Sequence, residues 1–152
     1  MRQRIVKVGE LEIGAKNPIV FIIGPCQLES RDHAMIMAEH IAQICCRTGS
    51  KFIFKSSYDK ANRSSIASNR GIGMQEGLSI LKEVSQTFEC PVITDVHEAS
   101  QCATVAEFVD VVQIPAFLCR QTDLLIAAGQ AGKPVNVKKG QFLAPWDIFN
   151  VA

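Results

Sequence analysis

The segment Lys55-Ser56-Ser57-Tyr58-Asp59-Lys60-Ala61-Asn62-Arg63-Ser64-Ser65 places two lysines, an arginine, an amide and several hydroxyls directly after the apolar run Phe52-Ile53-Phe54. Ammonium and guanidinium groups match phosphate oxygens, Lys as a compact charge and Arg as a planar fork. Hydroxyls and the amide can orient the rest of a polyol. A solvated loop that caps the next helix has the same composition, and composition alone does not separate the two readings. The segment is not a Walker motif, because the Gly-x4-Gly-Lys pattern is absent.

Four other apolar runs end in comparable chemistry. Gly24-Pro25-Cys26 follows Ile19-Val20-Phe21-Ile22-Ile23, and Thr94-Asp95-Val96-His97 follows Pro91-Val92-Ile93. Gln113-Ile114-Pro115 follows Val109-Asp110-Val111-Val112, and Lys138-Lys139 follows Pro134-Val135-Asn136-Val137. The Cys26 thiolate is a soft ligand suited to Zn²⁺ or Fe²⁺, but a lone cysteine is more often a buried free thiol. For His97 the plain alternative is a loop histidine held by a hydrogen bond.

The elements that carry these residues follow from periodicity. The apolar runs are too continuous to alternate, so they read as strands covered on both faces. Segments of helical period lie between them. Ala34, Met37, Ala38, Ile41, Ile44 and Cys45 mark a helix over 30–48, with Ser30 as its cap and Gly49 as its stop. Met74, Leu78, Leu81 and Phe88 mark a second helix, Cys102, Ala103 and Ala106 a third, and Leu124, Leu125 and Ala128 a fourth. Alternating strands and helices predict a parallel α/β architecture. An open sheet gathers its chemistry at one switch point, whereas a barrel builds its site from the ends of several strands. Five decorated strand ends favour the (β/α)₈ barrel. Residues 1–15 read as a hairpin able to plug its lower end, and 19–152 as barrel units one to five of a single partial domain. A complete barrel takes about 250 residues, so 152 residues read as truncated and as inactive alone.

Composition narrows the function classes. Sixteen Lys plus Arg against fifteen Asp plus Glu leave a net charge of +1, which predicts neither nucleic-acid nor membrane binding. No apolar run approaches the ~20 residues of a membrane span, and the start Met1-Arg2-Gln3-Arg4 lacks a signal-peptide apolar block. The chain reads as cytoplasmic, with its six cysteines as free thiols.

With Gly24-Pro25-Cys26-Gln27-Leu28-Glu29-Ser30, Thr94-Asp95-Val96-His97-Glu98, the run from Gln113 to Asp123, and Asn136-Val137-Lys138-Lys139-Gly140-Gln141-Phe142, the 55–65 segment completes an ordered set of specific motifs. Together they resemble the 3-deoxy-D-manno-octulosonate 8-phosphate (KDO-8-phosphate) synthases over essentially the whole chain. The resemblance implies a (β/α)₈ barrel, a homotetramer, and condensation of phosphoenolpyruvate with arabinose 5-phosphate in lipopolysaccharide biosynthesis. It implies catalytic roles for Lys60, Asp95 and Lys138. Lys60 and Lys138 would hold phosphoenolpyruvate, with Lys55 and Ser57 close to that anion and Gln113, Pro115 and Ala116 shaping its pocket. Asn62, Arg63 and Ser64 would receive arabinose 5-phosphate and Asp95 would orient it. Arg120 would reach a neighbouring subunit's sugar phosphate, and His97 and Phe117 would stand behind the contact residues. Cysteine after the Gly-Pro pair resembles the metal-dependent class, so Cys26 would bind a divalent metal of the Zn, Fe or Mn class, with the other ligands outside this chain. The nearest rival is a 3-deoxy-arabino-heptulosonate 7-phosphate synthase using erythrose 4-phosphate, against which Ala61-Asn62-Arg63-Ser64-Ser65 speaks. A non-catalytic half-barrel binding protein is the rival from another class.

Overall fold

The computed structural model describes residues 4–152, so the first three residues of the 1–15 hairpin and most of Met1-Arg2-Gln3-Arg4 lie outside the described residues. A hairpin, β1 (Val6–Val8) and β2 (Leu11–Ile13), turns at Gly9-Glu10 and is antiparallel. It precedes five parallel strands: β3 (Val20–Ile23), β4 (Lys51–Lys55), β5 (Val92–Asp95), β6 (Val111–Ile114) and β7 (Val135–Val137). Helices α1 (Arg31–Thr48), α2 (Met74–Phe88), α3 (Cys102–Ala106) and α4 (Thr122–Gln130) connect them. The strands lie in the sheet in chain order, each parallel to the one before. Such an order has no switch point. It is a half-barrel, and it settles the choice between barrel and open sheet that the apolar runs left undecided.

Alternation along the strands divides the core in two. Phe54, Val92, Val112 and Ile114 face the helices and join Ala38, Ile41, Leu78, Leu81 and Leu124. Ile53, Ile93 and Val111 point the other way and close on Val8, with Leu11 and Ile13 beside them. The hairpin therefore seals the apolar end of the barrel interior. One step further along the same inner face the chemistry changes to Ser57, Asp95 and Gln113, all buried.

The expected caps form. Ser30 Oγ accepts from the His33 amide at 3.1 Å, and Gly49, left-handed at φ 65, ends α1. Several expectations need correction. Ile44 is exposed on α1, where the buried stripe is Ala34, Ala38, Ile41 and Cys45. In α3 Val105 rather than Ala103 is buried: Cys102, Val105 and Ala106, at i, i+3 and i+4, form the face that joins the core. β3 is not covered on both faces: Phe21, Ile22 and Ile23 are exposed and Ile19 is 74% accessible. The reason is its place at the sheet edge, with β4 as its one neighbour among the described residues.

Gly77 shows why a helix interior tolerates glycine here. A Cβ at that position would stand 2.5 Å from Tyr58 Cβ and 3.3 Å from Leu28 Cδ1, so α2 sits directly on the turn after β4. Alanine normally stabilises a helix over glycine by about 1 kcal/mol. Gly77→Ala is nonetheless expected to destabilise the protein, by about 1–3 kcal/mol of overpacking, read as a lower denaturant midpoint.

Candidate active site

The sheet delivers its polar residues to one end. β4 runs into Lys55-Ser56-Ser57, β5 into Asp95, β6 into Gln113 and β7 toward Lys138. The turns that follow are held tightly. Ser56 Oγ donates to the Pro25 carbonyl at 2.9 Å and the Leu28 amide donates to the Ser57 carbonyl at 2.9 Å. A Cβ on Gly24 would run into the Lys55 carbonyl oxygen, which accounts for glycine before Pro25-Cys26. A Cβ on Gly140 would lie 2.8 Å from the Ala116 carbonyl oxygen, so the turn after Lys138 packs directly on the turn after β6.

These ends enclose a cavity of about 510 Å³ lined by Cys26, Lys55, Lys60, Asn62, Asp95, His97, Pro115, Ala116, Phe117 and Lys138. Ala61, Leu118 and Gln141 complete the wall. Ser57 and Gln113 lie beneath it, as partners of Asp95. The Asp95 carboxylate accepts from Ser57 Oγ on one oxygen and from Gln113 Nε2 on the other. Ser57 Oγ in turn accepts from Lys60 Nζ at 2.9 Å and Lys55 Nζ at 3.2 Å. Burial opposes ionisation of Asp95, but the hydrogen bonds from Gln113 and Ser57 and the charges of Lys55 and Lys60 hold its pKa below the ordinary carboxylate value. Burial lowers the pKa of Lys55, while Asp95 opposes that shift. Three lysines against one carboxylate and one thiol make the cavity a site for anions.

His97 is half-buried, its pKa lowered by burial, its Nδ1 without a hydrogen-bond partner and its ring edge-on to Tyr58 at 6.2 Å. Gln101 fixes this corner: its Oε1 accepts from Tyr58 Oη at 3.1 Å and from the His97 amide at 2.8 Å.

Not every expected residue lines the cavity. The Arg63 guanidinium donates to the Ile66 and Ser68 carbonyls at 3.3 and 2.8 Å, turning back into its own loop, and Ser64 is exposed outside the cavity. That loop is closed at its base by Arg70, whose fork bonds Asp59 at 2.8 and 2.6 Å. Arg120 borders two other clefts, one of which adjoins the main cavity through His97 and Leu118. Gln141 reaches the cavity wall although sequence reasoning gave it no role. Its only signal was its place in the segment after β7.

Cys26 stands exposed on the rim. A hydrogen bond from Lys60 lowers its thiol pKa, partial burial opposes that, and the charge of Lys55 adds to the lowering. A thiolate here is a fitting donor for a soft divalent metal, but among the described residues no cluster of three His, Cys, Asp or Glu could complete its coordination. The buried thiols behave oppositely: burial raises Cys45 and pushes Cys90 up to about 11. Near neutral pH, iodoacetamide should therefore modify Cys26 well before Cys45 or Cys90, as peptide-resolved mass spectrometry would show. Equal rates would contradict a lysine-stabilised thiolate.

The chain matches the DAHP synthetase I family over residues 3–152. It belongs to that family. Within the DAHP synthetase I family its relatives include the 2-dehydro-3-deoxyphosphooctonate aldolase of Rickettsia bellii (strain OSU 85-389), 57% identical over 149 residues. That alignment covers 98% of this chain and 54% of the relative. The same-named protein of Rickettsia rickettsii (strain Sheila Smith) is 55% identical over 98% of this chain and 54% of its own length. That of Granulibacter bethesdensis (strain ATCC BAA-1260 / CGDNIH1) is 56% identical, with 98% and 53% covered. The chain thus spans about half the length of the curated relatives it matches. Among the described residues, no helix is long and apolar enough to cross a membrane.

Proposed function

We propose that the protein carrying this chain is a cytoplasmic enzyme that condenses phosphoenolpyruvate with D-arabinose 5-phosphate and water. The products are 3-deoxy-D-manno-octulosonate 8-phosphate and inorganic phosphate, in the pathway to lipopolysaccharide. The observation that carries this reading is the convergence of Lys55, Lys60 and Lys138 on one cavity over the buried Asp95 network. The names of relatives aligned over 98% of the chain support it.

The chemistry asks for two anions held face to face. C3 of phosphoenolpyruvate bonds to the aldehyde carbon, water adds at C2, and phosphate departs with cleavage of its C–O bond. Lys60 and Lys138 neutralise phosphoenolpyruvate on one side of the cavity, with Lys55 behind them. Asn62 and Asp95 face the sugar, Asp95 as an acceptor for its hydroxyls. Arg63 and Ser64 take the sugar phosphate, Arg63 by exchanging the Ile66 and Ser68 carbonyls for phosphate oxygens, and Arg120 serves a neighbouring subunit's site in a homotetramer. Holding two reactants in register can supply about 7–11 kcal/mol of a barrier. Fixed cations at the developing negative charge add to that. Cys26 supplies one ligand to a divalent metal, and the rest of the protein supplies the others. Such a metal, when bound, polarises a carbonyl oxygen or orients water.

Phosphate release with both substrates, with and without a chelator, tests this directly. Release should require both substrates and fall on chelation. Release from phosphoenolpyruvate alone, or a preference for erythrose 4-phosphate over arabinose 5-phosphate, would refute it.

A further inference from the structure

Beneath the cavity a row of side chains crosses the inner face of the sheet from β4 to β7. Lys55 and Lys60 donate to Ser57, Ser57 donates to Asp95, Gln113 donates to Asp95, and Asn136 Nδ2 donates to Gln113 Oε1 at 2.8 Å. Strand register puts them there: Asp95 lies opposite Gln113 and Gln113 opposite Asn136. The row has a direction. An ionised carboxylate only accepts, so both Asp95 oxygens demand donors. Gln113 meets that demand only with its nitrogen turned to Asp95, which leaves its oxygen facing β7. A donor at position 136 holds that orientation, whereas an acceptor there would favour the flipped amide and set an oxygen against the carboxylate.

We propose that Asn136 is a positioning residue that locks the Gln113 amide with its nitrogen on Asp95, so that the carboxylate under the substrates keeps one fixed orientation. Asn136 touches no cavity surface and acts only through Gln113. It is half-buried, in the middle of β7.

Three variants in the protein that carries this chain separate direction from shape. Asn136→Asp has nearly the shape of asparagine but only accepts. Asn136→Leu is apolar and similar in size. Asn136→His differs most in bulk, yet its Nδ1–H lies as far from Cβ as the asparagine amide nitrogen. A packing role ranks the Asp variant closest to the native protein, whereas the positioning role ranks the His variant closest. The first readout is solvent exchange of the Gln113 Nε2 hydrogens by ¹⁵N NMR, expected to quicken in the Asp and Leu variants and stay slow in His. The second is phosphate release, and this part rests on the condensation proposed above. In the Asp and Leu variants kcat should fall about tenfold or more, the scale of one hydrogen bond to a charged group. KM for phosphoenolpyruvate should move less than about threefold, since Asn136 contacts no substrate. Native exchange in the Asp variant, or fast exchange in His equal to that in Leu, overturns the proposal. If the native protein releases no phosphate, the condensation fails while the exchange readout still decides the role of Asn136.

Discussion

Lys60→Met should lower kcat/KM for phosphate release by about 10²–10³-fold, the scale on which a single fixed donor to developing charge acts. Methionine is one atom shorter but keeps an unbranched apolar stem, so the change removes a charge rather than a wall. Lys60 has three tasks in this geometry. Its ammonium lines the cavity, donates to Ser57 Oγ at 2.9 Å and lowers the pKa of the Cys26 thiol. Losing the ammonium removes the main cause of the lowered Cys26 pKa, so alkylation of Cys26 near neutral pH should slow in the same variant. Lys60→Arg should restore only part of the activity, because a planar fork cannot take the place of a compact ammonium beside a hydroxyl and a thiol. If Lys60→Met kept kcat/KM within about threefold of the native value, the anion site would have to be elsewhere.

How far the sequence carried this picture depends on what each signal measures. Helix α1 was readable from end to end, because Ser30, the buried stripe and Gly49 are local features that agree. Ile44 lies outside the buried stripe for a related reason: periodicity marks a face, but only packing decides how wide the covered part of that face is. The strands were found as apolar runs, yet their ends shifted by up to two residues. Val109 and Asp110 precede β6, and Asp110 is tied to β5 by both its side chain, which accepts from the Val92 amide at 2.8 Å, and its own amide, which donates to the Val92 carbonyl at 3.0 Å. Coverage of β3 could not be read from Ile19-Val20-Phe21-Ile22-Ile23, since an edge strand and a central one can share a composition.

The site divides the same way. That Lys55, Asp95 and Lys138 stand at strand ends is legible from the apolar runs before them, whereas their roles and that of Lys60 come from the resemblance alone. That Ser57 and Gln113 serve Asp95, and that Asn136 serves Gln113, depends on register across three strands and has no signature along the chain. Arg63 illustrates the converse. Its motif is specific, but its guanidinium bonds Ile66 and Ser68 in its own loop, a choice that sequence does not encode.

Asp95→Asn should cost about 3–5 kcal/mol of folding stability at neutral pH, the scale of removing one partner from a buried charged network. The substitution keeps the shape, so the loss comes from direction. Asp95 receives donors on both oxygens, from Ser57 and from Gln113. Asparagine has one accepting and one donating side, so one of those partners must turn. If Gln113 turns, its nitrogen faces the Asn136 nitrogen, and the Asn136 amide must turn as well. If Ser57 turns, its hydrogen points toward two lysine ammonium groups that already donate to its oxygen. Either choice rearranges the row. The pH dependence identifies the cause. The folded pKa of Asp95 lies below its unfolded value of about 3.9, so its contribution is complete above that pH and is lost as pH falls through the folded pKa. Denaturant midpoints of native and variant protein should therefore differ most near neutral pH and converge below about pH 4. A gap as wide in acid as at neutrality would mean that folding does not lower the pKa of Asp95, and the hydrogen bonds from Ser57 and Gln113 would then not be what holds its charged form.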